Sequence, residues 1–312
     1  MKVLVTGANG FIGRALCAHL QQGGHQVVAA VRRPCGLVNE LVVDENSSTW
    51  AQALSGCDAV VHLAGRAHVM HEGAIDPLQA FRSANVDTSA RLALLAARAG
   101  VRRFVFMSSI KVNGERTNLD CPFTPNDIPA PEDAYGVSKW EAEQALQSIA
   151  QTSQMELVVI RPPLVYGPGV KGNFSRLIQW VRAGIPMPLG AVYNKRSMVA
   201  LDNLVAFTSL CANFADSPKA AGQVFLVSDG DDVSTTELLQ KVARAYACKA
   251  RLLPVPTWLL NCAASLFRRA AAAERLLGSL TVDSAKAYEL LGWQPSVTMD
   301  EQLRKMANVA LH

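Results

Sequence analysis

KVLVTGANGFIG, residues 2–13, is the stretch whose reading decides the fold. Lys2 to Thr6 is rich in Val and Leu and alternates little, as a strand buried on both faces should. Gly7, Gly10 and Gly13 follow at three-residue intervals, and a helix begins at Phe11. Glycines let backbone approach a pyrophosphate closely, while the free N–H groups and dipole of a helix N-terminus attract its charge. Three glycines alone would be weak evidence. A strand before them and a helix after them make the signal specific.

Working outward, the first helix reaches about residue 22 and is broken by Gly23-Gly24, and residues 26–31 read as a second buried strand. A short strand at 41–43 and a helix near 49–55 lead to a fourth strand, DAVVHL, at 58–63. A long helix is predicted over 77–99, with Pro at its start. A strand at 102–107, a helix at 133–151 and a strand at 157–161 complete the alternation. Such a pattern specifies an α/β chain with a doubly wound parallel sheet of the Rossmann type. Beyond Arg161 the rhythm changes. Residues 1–165 are assigned to a dinucleotide-binding domain and most of 166–312 to a smaller substrate-binding cap. Returning elements at about 196–230, such as QVFLV at 223–227, interweave the two. Helices near 234–247, 257–274 and 299–310 are given to the cap, where they would close over ligands at the carboxyl ends of the strands.

Half of the 312 residues are hydrophobic and 18% are charged, which excludes a disordered chain, and the net charge of +4 does not indicate nucleic acid. Seven scattered cysteines without a C-x-x-C pair suit a reduced compartment, and a first strand starting at Lys2 leaves no room for a signal peptide. The expectation is a cytoplasmic protein. The apolar run at 258–267 is too short to span a bilayer. With Arg268 and Arg269 after it a membrane-surface helix is conceivable, but it is assigned to the core. His68, His71 and Glu72 lack H-E-x-x-H spacing, so no metal site is expected. His62 at a strand end reads as a packed neighbour of the ligand, and the five tryptophans as core or interface residues.

At the end of the second strand, where an acid would bind the ribose hydroxyls of NAD, the chain has Val31-Arg32-Arg33. Two guanidiniums suit a 2′-phosphate, so NADP(H) is favoured, with NAD(H) possible if an arginine stacks on adenine instead. Tyr135 and Lys139 form Y-x-x-x-K on one helix face. An adjacent ammonium should favour the phenolate and bring the phenol, with its ordinary pKa of about 10, into a useful range. Ser109 leaves the preceding strand's C-terminal end toward the same cleft, placed to donate to a carbonyl or sugar oxygen.

With these residues in hand, the chain resembles the extended short-chain dehydrogenases/reductases of the nucleotide-sugar epimerase/dehydratase family. The matching segments are TGANGFIG (6–13), VVHLAG (60–65), MSSIKVNG (107–114), YGVSK (135–139), RPPLVYGPG (161–169) and DSAKAYELLGWQP (283–295). The resemblance implies that Ser109, Tyr135 and Lys139 are catalytic. It implies a cofactor site from Gly7, Asn9, Gly10, Phe11, Ile12 and Gly13, with Arg32, Arg33 and Asp44 on the adenosine side. Leu63, Ala64, Gly65, Asn85 and Pro162 complete that site together with Tyr135 and Lys139. Substrate contacts are implied for Ser109, Asn173 and Arg196, for Lys111 at the edge of the cleft, and for Arg275, where the family's R-x-G-D pattern is missing.

Ile110-Lys111 stands where the family's dehydratases carry Asp-Glu, which disfavours elimination of water. The expected reaction is therefore reduction of a UDP-linked 4-keto sugar at C4, a 6-deoxy-N-acetylhexosamine, for surface-polysaccharide precursors. The alternatives are a UDP-hexose 4-epimerase with a retained NAD and a non-catalytic dinucleotide-binding regulator. Relatives pair the helices at 77–99 and 133–151 across a two-fold axis, so the resemblance implies a homodimer. No nucleic-acid partner and no membrane insertion are expected.

Overall fold

The computed structural model describes residues 1–44, 47–66, 76–266, 274 and 276–309. Arg275, the His68–Glu72 group and Arg268-Arg269 lie outside the described residues. Seven parallel strands form the central sheet in the order β3-β2-β1-β4-β5-β6-β9. They are β1 (Lys2–Thr6), β2 (Gln26–Val31), β3 (Glu40–Val42), β4 (Ala59–His62), β5 (Arg103–Met107), β6 (Glu156–Arg161) and β9 (Val224–Leu226). The order reverses between β1 and β4, which opens a crevice at their carboxyl ends. Strand pleating explains why both faces are apolar. Val3 and Val5 pack on one side with α1 (Phe11–Gln22) and α7 (Leu201–Ala212). Leu4 points to the other, with α2 (Ser47–Leu54), α4 (Thr88–Arg98) and α5 (Ala134–Gln151).

The helix expected over 77–99 is three pieces. Asp76 caps α3 (Pro77–Arg82) by accepting from Gln79 N, a π-helical turn spans Ser83–Asp87, and α4 follows. The extra residue per turn in the π segment rotates Asn85 into the interior, where it is 1% exposed.

After β6 come a two-stranded parallel sheet of β7 (Leu164–Tyr166) and β8 (Met198–Ala200), and α6 (Asn173–Arg182), none of them anticipated as regular elements. A separate apolar cluster joins α6 to α8 (Thr235–Ala245) and to the last helix, α11 (Met299–Val309). Between these lie α9 (Thr257–Leu266) and α10 (Ala285–Leu291). Placing α9 in the core is incorrect: none of its residues is buried, and Trp258 is 66% exposed. Its apolar residues encircle the helix, and only one side finds a packing partner. Trp180, 45% exposed, likewise lies outside the core.

Candidate active site

The turn after β1 is shaped by what glycine permits. Gly7 has φ +65°, and a Cβ at Gly13 would lie 2.2 Å from the Gly7 carbonyl oxygen and 2.8 Å from Ala8 Cα. The turn closes with Gly10 N donating to Gly7 O at 2.9 Å. Gly10 then caps α1 with no side-chain hydrogen bond and no acid in the first turn, so the helix N-terminus presents backbone donors. Asn9 and Gly10 are exposed beside it, and Phe11 and Ile12 begin the helix. This cradle fits the pyrophosphate of a dinucleotide on steric and electrostatic grounds. Arg32 and Arg33 are exposed just beyond β2. Asp44, beyond β3, accepts from Thr49 Oγ1 at 2.8 Å.

Beneath the cradle runs a buried relay. Ala64 N donates to Thr6 Oγ1 (3.2 Å), which meets His62 Nδ1 at 2.6 Å. His62 Nε2 lies 2.9 Å from Ser89 Oγ, whose hydroxyl donates to Asn85 O at 2.5 Å. Because the Ser89 proton is committed to Asn85, the ring must donate from Nε2 and accept at Nδ1. Burial, reinforced by the Lys139 charge, holds the His62 pKa at about 3 and the ring neutral. The packed-neighbour reading of His62 agrees with this geometry. Leu63 donates to Thr6 O, and Asn85 clasps the loop after it, accepting from Arg66 N (2.7 Å) and donating to Arg66 O (3.1 Å). Asn85 Nδ2 also reaches Ser138 Oγ at 2.9 Å, and Ser138 donates to Tyr135 O. A Cβ at Gly65 would stand 3.1 Å from Asn85 Oδ1 and 3.4 Å from Lys139 Nζ, so the loop, the π turn and α5 converge on one point.

Asp133 caps α5 by accepting from Gly136 N at 2.7 Å, and Tyr135 and Lys139 enter the cleft from the first turns of this helix. Lys139 is 4% exposed, donates to Met107 O at 2.8 Å and sits 4.5 Å above the Phe106 ring. Burial lowers its pKa to about 8, against the opposing pull of Glu143. The Tyr135 phenol interacts with the Ser109 hydroxyl, and Phe81 packs edge-on against its ring at 6.0 Å. The expectation that Lys139 lowers the phenol is not met. Burial pushes Tyr135 up to about 12, outweighing Ser109, and Asp133 adds to the rise. The ammonium faces the Met107 carbonyl and the Phe106 ring, so the phenol is held protonated in the protein alone.

Ser109 caps the 3-10 turn Ile110–Val112. Pro162 O accepts from Ile110 N at 3.0 Å, joining the ends of β5 and β6 at the cleft. A network not anticipated from sequence lies behind them. Ser108 donates to Glu143, Glu143 pairs with Arg161 at 2.6 Å, and Arg161 donates to Asn113 Oδ1 at 2.9 Å. The ion pair is 3% and 4% exposed, so every lone pair it satisfies matters. Its only signal in sequence is Glu143 one turn after Lys139, an ordinary helix spacing.

Among the residues expected to touch substrate, Ser109 is at the cleft. Lys111 is engaged by Glu115 (2.6 Å) and Asp133 (2.5 Å), which ties it to the cap of α5. Asn173 is exposed at the start of α6. Arg196 is half-buried and donates to Gly278 O at 3.0 Å, and burial lowers its pKa.

The family model for the NAD dependent epimerase/dehydratase family matches residues 3–225, and the chain belongs to that family, with its extended short-chain dehydrogenase/reductase fold. A UDP-glucose 4-epimerase of Vibrio cholerae is 45% identical over 316 residues, covering 99% of this chain and 95% of that one. A GDP-6-deoxy-D-mannose reductase of Pseudomonas aeruginosa is 27% identical, with 97% and 95% of the two chains covered. The solved structure of MoeE5 in complex with UDP-glucose and NAD superposes with a TM-score of 0.76 at 27% identity, covering 100% of this chain and 99% of that one.

Proposed function

We propose that this protein is a UDP-hexose 4-epimerase that works with a retained NAD. The observation that carries the reading is the 45% identity, over nearly the full length of both chains, to the Vibrio UDP-glucose 4-epimerase. It favours the epimerase over the 4-keto reductase expected from sequence. In this reading the Gly7–Gly13 turn holds the pyrophosphate, Ala64, Gly65, Asn85 and Lys139 line the nicotinamide ribose, and Pro162 closes the far side. Bound NAD would supply the acceptor and donor of the C4 hydride.

The protein's own groups handle the proton at the C4 oxygen. Ser109 orients the hydroxyl and Tyr135 exchanges the proton with it. A phenol raised to about 12 is a competent donor and a reluctant base. Oxidation of the sugar therefore needs added positive charge beside Tyr135, which the nicotinamide ring of bound NAD would supply, while Lys139, held on the Met107 carbonyl, is assigned to the nicotinamide ribose. Asn85 and Ser138 fix the first turn of α5, so that both side chains keep their aim. Asn173 and Arg196 are assigned to the diphosphate side of the substrate. The seven cysteines are all free, which suits the cytoplasm.

One observation favours a second reading. Arg32 and Arg33 are exposed at the exit of β2, where a 2′-phosphate would lie, as an NADPH-dependent reductase of a UDP-4-keto sugar would require. A single experiment separates the two. Protein as purified is given UDP-glucose with no added cofactor, and the nucleotide it releases on denaturation is identified. UDP-galactose formed on bound NAD supports the epimerase. Inactivity under these conditions, with NADPH consumed on a UDP-4-keto-6-deoxy-N-acetylhexosamine and lost selectivity over NADH in Arg32→Ala, overturns it.

A further inference from the structure

The outer side of α9, a helix with no buried residue, is apolar. At 3.6 residues per turn, Trp258, Leu259, Cys262, Ala263 and Leu266 fall within an arc of about 140°. All five are exposed, Trp258 by 66% and Leu266 by 80%. Thr257, Leu260 and Ala264, on the opposite side, are the half-buried residues, and Leu260 packs against the cap's apolar cluster. The helix thus spends one apolar side on the fold and leaves a second uncovered.

The chain leading into α9 carries further exposed apolar residues. Met187 N donates to Arg251 O and Leu253 N to Met187 O, which lays the segment at 251–253 along the one at 184–190. Ile185 (44% exposed) and Leu253 (52%) project from these two segments. Lys249 and Arg251 are exposed beside them.

Charge completes the pattern. Residues 157–201 and 238–273 contain twelve lysines and arginines and no aspartate or glutamate. The remainder of the chain holds 18 basic and 26 acidic residues, so a mild overall charge of +4 conceals an uneven distribution along the sequence. Arg161 and Lys241 are spent on Glu143, Asp231 and Asp300, but Lys249 and Arg251, exposed just before the apolar stripe, have no acid within their own stretch of sequence. An exposed Trp and Leu stripe beside cations is the chemistry of a helix lying in a lipid headgroup layer, where apolar side chains enter and basic residues meet anionic lipids. A protein partner of opposite charge would not need an apolar stripe this long, and a second copy would set Lys249 and Arg251 of one chain against their own like charges.

We propose that this face, formed by α9 with the segments at 184–190 and 249–253, docks the enzyme reversibly on an anionic lipid surface. The helix lies in the interface and does not cross it; none among the described residues is long and apolar enough to do so. The inference stands on the surface alone and goes beyond the catalytic reading.

The test is flotation of the full chain with vesicles of phosphatidylglycerol mixed into phosphatidylcholine, beside vesicles of phosphatidylcholine alone. Two double variants accompany it, Trp258→Ser/Leu266→Ser and Lys249→Gln/Arg251→Gln. The expected result is flotation with the anionic vesicles only, weakened by salt, with each pair of substitutions reducing the bound fraction by roughly tenfold or more. Turnover of soluble UDP-sugar and thermal melting should be unchanged in both variants. If the apolar variant unfolds, the basic variant still carries the test. Failure of the parent chain to float, or flotation insensitive to the basic pair, overturns the proposal. So does a fall in light-scattering mass on the apolar substitution without any vesicle binding, which would give the face to a second copy. Flotation needs no catalysis, so its failure is distinct from failure of the epimerase reading.

Discussion

Acidification provides a test of the buried relay through His62. The ring is 1% exposed, and its pKa falls from an ordinary 6.5 to about 3 because burial and the Lys139 charge both oppose a second proton. The unfolded chain takes up that proton below about pH 6.5, whereas the folded one does not until near pH 3. The unfolded state therefore binds more protons throughout this window, and stability must fall as pH falls. The slope approaches about 1.36 kcal/mol per pH unit once the unfolded ring is fully protonated, so the loss of stability from this one ring between pH 6.5 and 4.5 amounts to roughly 2.3 kcal/mol. Protonation of Nδ1 would also remove the acceptor for Thr6 Oγ1, which in turn holds Ala64 N. His62→Gln keeps one acceptor and one donor without titrating in this range. Urea unfolding of both proteins at several pH values isolates the difference in slope from the carboxylates they share. If the two lose stability in parallel from pH 6.5 to 4.5, the assignment of a neutral, doubly bonded His62 is wrong.

Tyr135→Phe removes the proton carrier and keeps the ring against Phe81, so turnover should drop by roughly 10²–10⁴ with cofactor affinity little changed, measured by steady-state kinetics and cofactor titration. Gly13→Ala places a Cβ 2.2 Å from Gly7 O, and calorimetric titration should find dinucleotide binding abolished or weakened at least tenfold; near-native affinity would mean the turn can relax. Glu143→Ala strands Arg161 in a buried site and should cost about 3–5 kcal/mol in urea unfolding. The homodimer implied by the helices at 77–99 and 133–151 should appear in light scattering as twice the 33.5 kDa chain mass.

Several features were legible in the chain because their determinants are neighbours in sequence. Val3, Leu4 and Val5 specify a strand buried on both faces, and Gly7 to Gly13 specify a turn that only glycines can make. Tyr135 and Lys139 share a helix face through spacing alone. Family motifs between residues 6 and 295 carried the rest of that reading, including Ser109 at the end of β5. Tertiary structure decided what depends on partners far apart in the chain. His62 finds Thr6 and Ser89 at separations of 56 and 27 residues, and no periodicity encodes such a pairing. Asn85 turns inward because a π segment replaces the regular helix, a distinction of one hydrogen-bond register that composition does not record. The Tyr135 phenol titrates high because burial outweighs the nearby charges, and burial is a property of the assembled cleft. The apolar sequence of α9 is equally compatible with a core or a surface. It lies at the surface, with Leu260 packed on the cluster of α6, α8 and α11, and which side of a helix meets that cluster is a matter of tertiary packing.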